Sequence, residues 1–75
     1  MAGRFLTLEE VAEELAVTRT QIYTMARKGE IPAIKIGQKG HWRVERSRLE
    51  EWIAEQYRAT AEYVRKNPFP DSAEA

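Results

Sequence analysis

Eight cationic side chains fall between residues 18 and 48 of this 75-residue chain: Arg19, Arg27, Lys28, Lys35, Lys39, Arg43, Arg46 and Arg48. Only Glu30 and Glu45 oppose them there, so the middle of the chain carries +6 although the whole is formally neutral. Residues 1–17 and residues 49–75 each carry −3. Charge segregated in this way makes one face attractive to a polyanion, and the acidic flanks orient that face. Interleaved with the cations are Thr18, Thr20, Gln21, Tyr23, Thr24 and His41, whose hydrogen-bonding groups suit phosphate oxygens and base edges. Arg19 has the planar fork that pairs with guanine, and Gln21 the amide that pairs with adenine. Tyr23 and Thr24 suit a phosphate or a thymine methyl group. Arg27 and Lys28 suit backbone phosphates, and Lys39 and Arg43 suit phosphates or a narrow minor groove.

The same inventory argues against other chemistries. Cysteine is absent and His41 is the one histidine, so neither thiol chemistry nor a conventional zinc site is expected. No nucleophile stands beside a plausible base and no glycine-rich phosphate loop occurs, so the reading is no enzyme, no catalytic residue, no metal and no cofactor. Trp42 and Trp52 could stack on single-stranded bases, but they recur on apolar faces and read as core residues. The opening Met1–Phe5 is too short and too soon charged for a secretory signal, and the apolar runs are too short to cross a membrane. A cytoplasmic location is the expectation.

The elements that must position these residues are legible from caps and periodicity. Thr7 with Glu10 forms a capping box, and Leu6 with Val11 a hydrophobic staple. Leu8, Val11, Ala12 and Leu15 then give a first helix one apolar face, with Glu9, Glu10, Glu13 and Glu14 opposite. The signature repeats eleven residues on, with Thr18 and Gln21 as the box and Val17 and Ile22 as the staple. Gln21 therefore has two candidate uses, the cap or a base. Ile22, Met25 and Ala26 supply the second apolar stripe, and Gly29 the left-handed terminator. Helices joined this tightly cross steeply, as in a helix-turn-helix.

After Pro32 the period becomes two. Ile34 and Ile36 flank Lys35, and Trp42 and Val44 flank Arg43, which predicts a hairpin whose loop is bounded by Gly37 and Gly40. A third helix is expected to start near Glu45 or Ser47, with Ser47 and Glu50 as a further capping box. Its apolar face is Leu49, Trp52, Ile53 and Tyr57, fading through Ala61 to Val64, and Asn67-Pro68 ends it. One domain over residues 1–66, followed by a disordered tail over 67–75, is the organisation expected.

The segments LTLEEVAEELAVT, GEIPAIKIG and WRVERSRLEEWI occur in that order within residues 6–53. Together they resemble the small winged domains of phage and plasmid excisionases, and the DNA-binding domains of MerR-type regulators. The resemblance implies a mainly α fold with a small β-hairpin, a winged helix-turn-helix of order helix-helix-hairpin-helix. It implies a recognition helix at about Thr18–Lys28 entering a major groove, and a wing at about Gly37–Arg43 on the backbone or a minor groove. It also implies double-stranded DNA as partner, a bacterial, phage or plasmid origin, and a role in transcription control or site-specific recombination. Ala16 departs from the pattern, standing where such sequences often carry Gly. The length beyond Ile53 is a second departure, and it raises the alternative of a protein-interaction or self-association module built on the extended third helix. Assembly on DNA, head-to-tail or as a two-fold dimer, is a further expectation, since one small module buries only about 600–1,000 Å² on DNA.

Overall fold

A computed structural model describes residues 3–68. Of the tail predicted over 67–75, residues 69–75 lie outside the described residues. The elements run β1 (Phe5–Thr7), α1 (Leu8–Leu15), α2 (Arg19–Lys28), β2 (Ala33–Ile36), β3 (His41–Glu45) and α3 (Arg46–Lys66). The mainly helical architecture with a winged helix-turn-helix order matches the reading of the sequence.

Both predicted capping boxes at the first two helices are formed. The Thr7 hydroxyl accepts from the Glu10 amide at 3.1 Å, and the Thr7 amide donates to the Glu10 carboxylate at 2.9 Å. At α2 the Thr18 hydroxyl accepts from the Gln21 amide at 3.1 Å, and the Thr18 amide donates to the Gln21 side chain at 3.2 Å. Each box satisfies amides that a helix start leaves without intrahelical partners. Both helices also end alike. Ala16 donates to Glu13 and Val17 to Ala12, as Gly29 donates to Ala26 and Glu30 to Met25. Paired bonds of this kind need a left-handed residue at the turn. Gly29 takes that conformation freely at φ 74°, whereas Ala16 is forced into it at φ 58°. Only Ala16, Val17 and Thr18 lie between α1 and α2.

The core comprises Leu6, Leu8, Val11, Ala12, Ile22, Ala26, Ile31, Val44 and Leu49, with Trp42, Trp52 and Ile53 packed at its edge. Ile31 joins it from the connection after α2, where no periodicity marks it. The Trp52 indole donates to the Glu30 carbonyl at 3.0 Å and ties α3 to the same connection.

Four features correct or go beyond those expectations. The sheet has three strands in the order β1-β3-β2, both pairs antiparallel, so the hairpin is not alone. Phe5–Thr7 is too short for a visible alternation, and only pairing with β3 reveals it. Second, Ile34 pairs with Arg43 and Lys35 with Trp42. Directly opposed residues share a sheet face. The isoleucines therefore lie with Arg43 and His41 on the outer face, 50% and 47% exposed, and Lys35 lies with Trp42 and Val44. Third, α3 starts at Arg46 without a side-chain cap, so no box forms between Ser47 and Glu50. The Arg46 amide instead donates to the Arg4 carbonyl at 2.8 Å, so the residue before β1 gives this amide a partner. Fourth, Tyr57 does not close the core; it is 76% exposed. At about 1.5 Å per residue, the 21 residues of α3 span about 32 Å, and its second half outruns the body it packs on.

Candidate nucleic-acid interface

The outward face of α2 collects the predicted contact residues. Arg19, Thr20, Tyr23, Thr24 and Arg27 line one shallow depression on it. Burial of Ile22 and Ala26 fixes which way the helix is rolled, and the helical period then sends these five side chains outward. Arg27 and Lys28 occupy the last turn, where cations also complement the helix dipole. Thr18 and Gln21 stand at the N-terminus with their side chains engaged in the box, which settles the use of the Gln21 side-chain oxygen in the free protein.

Two of the outward residues have a partner on α1 that spacing in sequence does not reveal. Oε2 of Glu9 accepts from Nη2 of Arg19 at 2.9 Å and from the Tyr23 hydroxyl at 3.1 Å. Hydrogen bonds from its own backbone amide, then from Arg19 and Tyr23, hold the Glu9 carboxyl below the usual carboxylate range. The charge census assigns Glu9 to the solvated acidic face of α1. The packing of α1 on α2 brings it to the cationic face of α2 instead.

The wing turns through Gly37–Gly40, with the Gly40 amide donating to the Gly37 carbonyl at 3.3 Å and both glycines at positive φ, 77° and 74°. Lys39 projects from this turn and is exposed. His41 and Arg43 lie on the outer sheet face, turned away from the helices, so the fold does not bring them together with the depression on α2. Arg43 is half-buried and its Nη1 donates to the Trp42 carbonyl at 2.7 Å. Lys35, absent from the predicted contacts, lies on the face turned toward the helices, with Nζ 5.8 Å from the centre of the Trp42 ring. The alternation around Lys35 is the signal that could have found it, once Val44 rather than the isoleucines is taken as the core side. Arg46 is occupied by Glu14 at 3.6 Å and Glu50 at 3.8 Å, and so is spent within the protein.

Among the described residues no group of three or more His, Asp or Glu is placed to hold a metal ion, and no helix is long and apolar enough to cross a membrane. A family model described as a helix-turn-helix domain matches residues 5–57, more than two-thirds of the chain and every element from β1 into α3. The chain belongs to this helix-turn-helix family. The family is of the excisionase-like kind that the sequence motifs suggest, and membership implies DNA as the partner. No curated protein and no solved structure matches the chain significantly.

Proposed function

We propose that this helix-turn-helix protein binds double-stranded DNA sequence-specifically, as a small transcriptional regulator or an excisionase-like accessory factor in recombination, acting in the cytoplasm and without catalysis. The observation that carries the reading is the face of α2: a capped helix that presents Arg19, Thr20, Tyr23, Thr24 and Arg27 together, inside a segment of charge +6. A recognition helix contacts base edges from its N-terminal half and phosphates from its ends. Arg19 and Thr20 fall in the first half, Arg27 and Lys28 at the C-terminal end. Lys39 at the wing tip and Lys35 beside Trp42 add cations that a second stretch of backbone would meet, with His41 and Arg43 reaching the flanking phosphates. The test is gel-shift titration of a random-sequence duplex pool and of the sequences selected from it, at rising salt. Selected duplexes should bind more tightly, and log affinity should fall steeply with log salt. Binding that is absent, or indifferent to salt, would sink the reading.

A second reading, self-association through α3, is favoured by one feature of that helix. At 100° per residue, the charged side chains of its second half, Glu55, Arg58, Glu62, Arg65 and Lys66, fall within an arc of about 100°. They pair with one another there, Arg58 with Glu55 and Glu62 with both Arg65 and Lys66. Ile53, Tyr57, Thr60 and Val64 fall within about 60° on the other side. That uncharged stripe is continuous with an apolar groove between Leu15 and α3. A second copy could lay its own stripe there without opposing like charges. So small a contact belongs to the weak class below about 1,200 Å², and it would matter mainly between neighbours on one DNA molecule. Sedimentation with and without DNA decides: a strict monomer at high concentration, also bound singly on long DNA, removes this reading.

A further inference from the structure

Arg19 and Tyr23 stand one turn apart on α2 and share a single acceptor, Oε2 of Glu9. Of the other acids on α1, Glu10 is spent in the capping box and Glu14 faces Arg46. Glu9 thus places a negative charge on the surface otherwise built of cations. It contributes little to packing, because its side chain and that of Arg19 are 45% and 71% exposed.

We propose that Glu9 is a specificity-determining positioning residue of the DNA interface, acting through Arg19 and Tyr23; the proposal rests on the DNA-binding reading above. Held at one Nη2, the guanidinium keeps other N–H donors free, and two suffice for a guanine edge. Its fork is therefore presented in one place before DNA arrives, which lowers the ordering cost of a matched contact. On an unmatched sequence the Arg19 charge stays neutralised by Glu9, so the complex lacks one cation that would otherwise attract phosphate anywhere along the duplex. The carboxylate itself also repels phosphates that approach out of register. Specificity is a difference between two affinities, and Glu9 acts mainly by lowering the unspecific one.

The experiment compares the parent, Glu9→Gln and Glu9→Asp on a duplex selected from a random pool and on a scrambled duplex of equal length. The Gln variant keeps the shape and removes the charge. It should bind the scrambled duplex more tightly, steepen its log–log salt slope by about 0.9, the value of one additional phosphate contact, and lose about tenfold in the ratio of selected to scrambled affinity. The Asp variant keeps the charge and should keep most of the ratio and the parent's salt slope. The thermal unfolding midpoint should fall only slightly in the Gln variant, since Glu9 is exposed and none of the changes alters the core or a capping box. A parent with salt-steep, selective binding and a Gln variant whose ratio stays within about twofold would overturn the inference and leave the DNA-binding reading standing. A parent with no salt-dependent binding would overturn both.

Discussion

Arg19 and Arg43 belong to the same basic segment, yet the fold gives them different work. Arg19 projects from the first turn of α2 and is held only at its tip by Glu9. Arg43 lies along the outer sheet face and returns one N–H to its neighbour's carbonyl. Replacing Arg43 by Ala should weaken binding across all duplexes alike, whereas Arg19→Ala should also relax base preference, at a cost of about 1–3 kcal/mol on the best site. Selections from a random pool, together with affinities for selected and scrambled duplexes, read the difference, and two variants that bind both duplexes like the parent would show that neither residue touches DNA. Glu9 also makes a pH prediction. Its folded-state pKa lies below the ordinary carboxylate value, so the hydrogen bonds its carboxylate accepts, from its own amide first and then from Arg19 and Tyr23, favour the fold above that ordinary value. The contribution is lost as pH falls through the lowered folded-state pKa. Carboxyl NMR should show Glu9 titrating at lower pH than a free glutamate, with the depression reduced in Arg19→Ala.

At the scale of elements, the turn between α1 and α2 is the point of strain. Ala16 sits at φ 58°, a conformation in which a Cβ crowds the carbonyl oxygen, while the matching turn after α2 uses Gly29. Ala16→Gly should therefore stabilise the protein by about 0.5–1 kcal/mol, the relief of strain outweighing the added freedom of the unfolded chain. Urea unfolding measures it as a higher midpoint at unchanged slope. Loss of stability would mean that the turn carries no strain. The far half of α3 behaves differently, because its large side chains cover nothing in the monomer. Tyr57→Ser should leave monomer stability within about 0.5 kcal/mol, as for other exposed positions. If copies pair along α3, the same change should abolish cooperative binding on duplexes with two sites. A large loss of monomer stability would show that the helix packs on the body beyond Ile53.

At the scale of the fold, nine buried apolar side chains among the described residues, spread between Leu6 and Leu49, hold the helices and sheet together. With so small a core, truncating Leu49 to Ala should cost about 2–5 kcal/mol, seen as a much lower unfolding midpoint, because Leu49, in the first turn of α3, is fully buried. A loss under about 1 kcal/mol would place α3 outside the cooperative unit. The sequence by itself determined the helices, the two capping boxes, the glycine-bounded wing and the roll of α2. Those features are local: a cap acts across three residues and an apolar stripe across two turns. Only the tertiary structure decided the third strand, the exposed isoleucines of β2, the partner of Arg19 and the start of α3. Each depends on a contact between residues far apart in the chain or on a register between strands, which no local pattern encodes. Phe5–Thr7 is a strand because β3 is beside it, and the Arg46 amide is satisfied because Arg4 is. Glu9 reads as a solvated acid until the crossing of α1 and α2 carries it to Arg19 and Tyr23.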